Sequence, residues 1–330
     1  MTDRIRKTYI LREHLFSLGE IKDVDYPVLG KTLSAYAAEK FGGVETDEMP
    51  TYSVGTTTLI LRSSHTCLPR TGVEALVKKA EKTGENLFFG AGWVLVTPQD
   101  YHLARYDPLY GGATFLSPAD LPFVFECIRL EIVKKHLKRG VLIESDRGVY
   151  IDGGVEIGAG AYLSHDVTLS GNTVVESGAK IKPYTVIESG YISKNAEIGP
   201  FTRIRKGTRI GENVKLGNFV EVKNATVGKG TKAAHLAYIG DADVGKNCNI
   251  GCGSIFVNYD GKKKYRSKVE DDCFIGSNSN LVAPVVMRKN SYLAAGSTLT
   301  KDLDGGDLCV ARERERILKN RAKGYYDPEK

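Results

Sequence analysis

Residues 192–222 read ISKNAEIGPFTRIRKGTRIGENVKLGNFVEV, and an aliphatic residue returns at every sixth position: Ile192, Ile198, Ile204, Ile210, Leu216 and Val222. Strict alternation would indicate a half-buried strand, and a period near 3.6 an amphipathic helix. A period of six, with Gly after several of the aliphatic residues, is the pattern of a hexapeptide β-helix. Each hexad forms a short strand and its turn. Its aliphatic side chain points to the axis of a triangular prism, and a small residue lets the chain round the corner. Three hexads close one coil, and coils stack about 4.8 Å apart through backbone hydrogen bonds.

The frame extends in both directions, slipping by one residue at intervals. Upstream lie Ile151, Ile157, Leu163, Leu169, Val175, Ile181 and Ile187. Downstream come Val227, Ala233 and Ile239, then Val244, Ile250 and Phe256, then Val269, Ile275, Leu281, Met287, Leu293 and Leu299. About eight coils are expected, enough to bury a continuous core. Between Phe256 and Val269 the hexads give way to VNYDGKKKYRSK, too long for a turn and too polar for the core. It is predicted to be a loop extruded from one coil, and loops held by a rigid scaffold commonly carry function. The run Lys262–Lys264 alone reads as a solvated tip.

Composition narrows the class. The chain has 330 residues, of which 36 are Gly, and most of these lie in the repeats. With 26% charged and 42% hydrophobic residues it is of globular type. No apolar run is long enough to span a bilayer, and the N-terminus lacks the apolar core of a secretory signal. A cytoplasmic location is expected, with no membrane insertion. Six scattered cysteines without a CxxC pair read as small buried residues rather than disulfides. Two repeat-region histidines, His165 and His235, are too few for a three-imidazole zinc site. The net charge of +6 suits anionic small molecules. Nucleic acid is disfavoured, since no basic run is interleaved with aromatics.

Upstream of the repeats, Ser117 and Pro118 signal a helix start and Gly140 its end. A connecting helix is expected over 118–140, with Phe123, Cys127, Leu130, Val133 and Leu137 on its apolar face. Residues 1–117 read as a small α/β domain. TTTLILRSS (56–64) is a buried strand, TGVEALVKKAEKT (71–83) an amphipathic helix, and ENLFFGAGWVLVT (85–97) one or two strands. The glycines at 90–92 and 111–112 match neither GxGxxG nor a Walker loop. The layout is thus α/β domain 1–117, helix 118–140, β-helix 141–310 and a charged tail 311–330 with helical character.

The run GNFVEVKNATVGKGTKAAHLAYIGDADVGKNCNIGCGSIFVNYDGKKKY, with FIGSNSNLVAPV and LAAGSTLTKDL after it, resembles a known family. This is the acetyltransferase domain of bifunctional N-acetylglucosamine-1-phosphate uridyltransferase/glucosamine-1-phosphate acetyltransferase. The resemblance covers about residues 118–315. It implies a trimeric left-handed parallel β-helix that moves acetyl from acetyl-CoA to the amine of α-D-glucosamine 1-phosphate, without a metal. By the same resemblance His235 is the general base. Arg205, Lys223 and Lys264 bind the sugar phosphate, and Tyr238 and Asn249 contact the sugar. Asn258 and Tyr259 contact acetyl group and amine, and Ser277, Ala295, Arg312 and Cys252 meet the coenzyme. Glu221 is a candidate to orient or polarise the site.

These residue types suit the chemistry. Cations bind a phosphate dianion through charge-assisted hydrogen bonds. Imidazole accepts a proton near neutral pH. Holding amine and thioester together lowers the barrier by positioning.

The first half departs from the family's nucleotidyltransferase domain. The LxxGxGTxM phosphate loop is absent. YPVLGKTLSAYAAEKF (26–41) resembles the piece that follows it. Ser63-Ser64 stands where the family has a metal-binding Gly-Asp. A shortened, degenerate domain without uridyl transfer is expected. Two alternatives remain open from sequence: acylation of another amino sugar phosphate or nucleotide sugar, and a non-catalytic sugar-nucleotide-binding homologue.

Overall fold

The computed structural model describes residues 5–12, 17–18, 21–22, 25, 27–107, 109, 113–114, 117–319 and 321–322. The chain divides into two compact units, 1–191 and 192–330. The boundary falls inside the repeats.

The first unit opens with a mixed six-stranded sheet. Its order is Val44–Thr46, Ile5–Leu11, Thr56–Arg62, Gly92–Leu95, Leu87–Phe88, Arg105–Tyr106. Strand Thr56–Arg62 is central and pairs parallel with Ile5–Leu11 and antiparallel with Gly92–Leu95. Its side chains alternate between faces, as the pleat requires. Leu59 and Leu61 meet Ile10, Val73, Leu76, Val77 and Ala80, while Ile60 meets Leu11 and Leu95 on the other face. Helix α1 (Leu33–Phe41) starts where Thr32 Oγ1 accepts from the Ala35 amide at 3.3 Å. Helix α2 (Arg70–Thr83) carries the buried stripe Val73, Leu76, Val77 and Ala80. The strand expected at 56–64 thus ends at Arg62, and the segment 85–97 holds two antiparallel strands. The glycines at 111–112 lie outside the described residues.

Helix α3 (Leu121–Lys138) follows Ser117, whose amide donates to Asp120 Oδ2 at 2.9 Å. Its buried face is not the one expected. Val124, Ile128, Ile132, Val133 and His136 are buried, whereas Phe123 and Leu137 are 61% and 44% exposed. Only Val133 belongs to both sets. The packed stripe runs through residues four apart, one position round the helix from the predicted one. Arg129 is also buried, held by Glu126 and by the Val149 carbonyl at 3.2 Å.

The repeats form a left-handed parallel β-helix, and every aliphatic position named from the sequence is buried. In the first unit each position pairs with the one 18 residues on: Ile151 with Leu169, Ile157 with Val175, Leu163 with Ile181. In the second unit Ile204 still pairs with Val222, but Leu216 pairs with Ala233, Val227 with Val244 and Ala233 with Ile250. A frame slip in sequence is therefore a coil of 17 residues, with the missing residue taken from a corner. One coil is longer: Val244 pairs with Val269, Ile250 with Ile275 and Phe256 with Leu281, each 25 residues apart. The extra length is the extruded loop.

Two residues before the aliphatic position a second small residue is buried, and it satisfies the corners. Thr231 Oγ1 donates to the Gly245 carbonyl at 2.8 Å, and Ser254 Oγ to that of Gly276 at 3.2 Å. Cys248 and Cys273 fill the same place ahead of Ile250 and Ile275. All six cysteines are free. Only Cys248 and Cys273 are buried as expected; Cys67, Cys127 and Cys309 are half-buried, and Cys252, at a corner, is exposed.

The helical character expected of the tail is not realised over 311–319. Ala311 instead bonds to the last coil, its amide donating to Ser297 Oγ at 3.0 Å. Ile317 and Leu318 are 78% and 59% exposed, so no face buries the apolar residues that would hold a helix. No helix among the described residues is long and apolar enough to cross a membrane.

Acid should destabilise the first unit. Burial, with Lys135 and Arg139 nearby, pushes the His136 imidazole down to about 4 from 6.5. Hydrogen bonds from Lys135 and Lys31 hold Glu39 at about 2, below its usual 4.5. In both cases the unfolded chain binds the proton first. The stabilisation is present at pH 7 and is lost as pH falls, between about 6.5 and 4 for His136 and between 4.5 and 2 for Glu39. Thermal melts from pH 7 to pH 4 should show a loss on the order of 2 kcal/mol after solvent screening. His136→Gln should flatten that stretch, and a wild-type curve already flat there would contradict the assignment.

Candidate active site

Strands Lys215–Lys223 and Lys232–Gly240 run parallel in adjacent coils. The pairing sets Asn218 opposite His235 and Glu221 opposite Tyr238. Val220, Val222, Ala237 and Ile239 point inward and are buried, so their alternates face outward. Outward residues of successive coils therefore stack in columns, and the candidate residues fall into three groups.

The first group is cationic. Arg205 Nη1 lies 3.0 Å from Glu221 Oε1. The Lys223 ammonium is pushed below its usual pKa, first by Lys264 and then by Arg205. The three cations thus converge, and Lys264 reaches the group from the extruded loop. Like charges held together favour an anion between them.

That loop is a built structure. Its two sides meet where Tyr259 bridges Lys264 and the Tyr265 amide donates to the Asn258 carbonyl at 2.9 Å. Asp260 Oδ1 closes the tip by accepting the Lys262 and Lys263 amides, each at 2.7 Å. Arg266 anchors the exit, donating to Asp243 Oδ2 at 2.6 Å, the Asn224 carbonyl at 2.8 Å and the Ala242 carbonyl at 3.0 Å. Asp241 anchors the entry. This buried carboxylate accepts from Asn224 Nδ2 at 2.6 Å and from Asn258 Nδ2. Asn258 Nδ2 also lies 3.5 Å from the Tyr238 hydroxyl. The Tyr238 side chain lies over Gly240, where a Cβ would come within 2.6 Å of two ring carbons and the hydroxyl oxygen. Tyr259 is 55% exposed, and its hydroxyl donates to the Gly261 carbonyl at 2.7 Å.

The second group is His235 with Asn218. The exposed imidazole sits at a corner, before Leu236 in the left-handed region at φ 31°. Its Nδ1 lies 2.8 Å from Asn218 Oδ1. An oxygen there accepts, so Nδ1 carries the proton and Nε2 keeps the free lone pair.

The third group is a corner column. The Asn278 amide donates to the Cys252 carbonyl at 2.7 Å, and the Gly296 amide to the Ser277 carbonyl at 2.8 Å. Arg312 Nη1 donates to the Ala295 carbonyl. Gly276 makes the stacking close: a Cβ there would sit 2.3 Å from the Ala295 amide nitrogen. Cys252, Ser277, Ala295 and Arg312 thus mark successive levels of one edge. Asn249 lies one coil on from the strand that carries His235, pairing with Lys232 and Phe274.

Sequence reasoning assigned no role to Asn218, Asn224, Asp241 or Arg266. Coil length was the available signal. Asn218 precedes His235 by 17 residues, and Asn224, Asp241 and Asn258 follow one another at the same interval. Among the described residues no three His, Cys, Asp or Glu side chains are placed to hold a metal. Ser63 and Ser64 are buried just past strand Thr56–Arg62.

Removing Asp241 should loosen the loop. Asp241→Ala leaves the amides of Asn224 and Asn258 without their acceptor, a cost of about 1–3 kcal/mol. Hydrogen exchange should quicken over 258–266 while the flanking strands stay protected. Unchanged protection of the loop would show that Arg266 alone holds it.

Comparison with known proteins agrees with this architecture. The family described as bacterial transferase hexapeptide (six repeats) matches residues 191–224, and the hexapeptide repeat of succinyl-transferase matches 267–301. The bifunctional protein GlmU of Clostridioides difficile (strain 630) is 45% identical over 218 residues, 61% of this chain and 47% of that protein. The bifunctional protein GlmU of Caldicellulosiruptor saccharolyticus is 57% identical over 124 residues, 38% of this chain and 27% of that one. A solved Arabidopsis UDP-N-acetylglucosamine acyltransferase aligns at TM-score 0.44 and 16% identity, over 53% of this chain and 68% of that one. A likeness that weak carries no weight. The chain spans about half the length of the curated relatives it matches. It carries bacterial transferase hexapeptide repeats and is homologous, over its hexapeptide region, to part of the bifunctional GlmU proteins.

Proposed function

We propose that the chain is an acyltransferase that moves acetyl from acetyl-CoA to the amine of α-D-glucosamine 1-phosphate. The observation that carries this reading is His235, held by Asn218 with Nε2 free, one coil level from the convergence of Arg205, Lys223 and Lys264. A base and a triad of cations on adjacent coils suit an acceptor that bears both an amine and a phosphate.

In this reading the three cations and Tyr238 bind the sugar phosphate, with Asn249 contributing to the sugar. The column Cys252, Ser277, Ala295 and Arg312 takes the coenzyme, with Asn258 and Tyr259 at the acetyl group. The amine nitrogen attacks the thioester carbonyl carbon while His235 Nε2 accepts the proton it sheds. The tetrahedral intermediate collapses, the carbon–sulfur bond breaks, and the imidazolium returns the proton to the departing thiolate. The products are N-acetylglucosamine 1-phosphate and coenzyme A. Asn218 keeps the tautomer in which Nε2 can act as base. Glu221 fixes the Arg205 guanidinium. No step calls on a metal. A homotrimer whose sites are shared between copies belongs to this reading. Uridyl transfer is absent in this reading, because Ser63 and Ser64 offer no carboxylate to a metal.

Thiol release from acetyl-CoA in the presence of glucosamine 1-phosphate tests the reading. His235→Ala should lose about 10²–10⁴-fold in kcat. Asn218→Ala should lower kcat with little change in KM and distort the pH–rate profile, since it acts through the imidazole. UTP should yield no pyrophosphate. Absence of thiol release from folded wild-type protein would overturn the assignment.

A further inference from the structure

A basic recess in the first unit takes no part in that chemistry. Its volume is about 680 Å³, and its walls come from α1, α3 with Arg139 just after it, the first residue of α2 and Gly153 of the repeats. Six cationic side chains line it against two carboxylates. Both carboxylates are engaged. Glu39 is held by Lys135 and Lys31 at 2.6 Å each, and Glu131 by Lys40 at 2.5 Å. Arg70, Lys134, Lys138 and Arg139 remain without a carboxylate at ion-pair distance among the described residues.

Helix electrostatics explains only part of this. Lys135, His136 and Lys138 sit in the last turn of α3, where positive charge complements the macrodipole. Arg70 does not fit that account. It opens α2, whose first turn has no acidic residue, and a cation there opposes the dipole. His136 lies beside these cations. The residue borders the recess at 3% exposure, and burial keeps its ring neutral at pH 7, so it adds no charge of its own.

We propose that this recess binds a small soluble diphosphate of nucleoside-diphosphate size. Arg70, Lys134, Lys138 and Arg139 take the phosphates. The volume lies within the range of small-molecule sites, about 300–1,000 Å³, and far exceeds one phosphate. Tyr36 and Ile132 add an apolar wall suited to the rest of such a ligand. Arg and Lys recognise phosphate oxygens through charge-assisted hydrogen bonds.

Calorimetric titration of the full chain with ADP and with inorganic pyrophosphate, at about 0.1 M KCl, tests the site. One ADP per chain is expected, with pyrophosphate weaker. Lys134→Gln/Arg139→Gln should weaken both by at least about tenfold and leave the ligand-free melting temperature unchanged. Imidazole ¹⁵N spectra of the wild type should show the His136 ring signals move on adding ADP. Absence of binding, equal affinity in the double variant, or adsorption to phosphatidylserine vesicles in place of ADP binding would overturn the proposal. Should the double variant fail to fold, stationary His136 signals in the wild type would overturn it alone. None of these readouts depends on acetyl transfer, so this site and the proposed reaction fail separately.

Discussion

The repeat half of this chain depends on one interaction: the backbone hydrogen bond from each strand to the strand one coil further on. These bonds leave almost no freedom in coil length, because a residue lost from a strand would turn its aliphatic side chain outward. Lost residues are instead removed at corners, as between Val222 and Val227. The result is a strict rule of adjacency. Residues 17 or 18 apart become neighbours, whatever lies between them in sequence.

The candidate site is written in that rule. Asn218 meets His235, and Asn224, Asp241 and Asn258 form a chain of side-chain hydrogen bonds, each one coil from the last. Asp241 does the most with the least exposure. A buried carboxylate satisfied by two amides joins the loop entry to the coil beneath it, and it lies close to the cations that the loop helps to gather.

Much of this was legible beforehand, and the limits have physical causes. The aliphatic positions could be read because each must fill the same interior space, so even Ala233 and Phe256 keep the frame. The loop at 257–268 stood out because it broke that frame. Asn218 and Asp241 were missed because outward positions carry no hydrophobic signal, and their partners appear only once coil length is known. The face of α3 was misplaced because Phe123 and Leu137 share a spacing with Val133, and spacing alone does not say which of two overlapping stripes finds a partner. The tail's charge pattern is compatible with a helix, yet nothing packs on Ile317 and Leu318 to hold one.

The 25-residue coil has a consequence for how such a scaffold tolerates change. Its hairpin leaves and re-enters at a corner, and the ladders on either side of it, Val244 with Val269 and Phe256 with Leu281, continue in step. Corners therefore act as splice points. Material can be threaded in there without re-registering a single strand, so the reach and chemistry of the protruding arm are free to diverge while the spool that carries it stays the same.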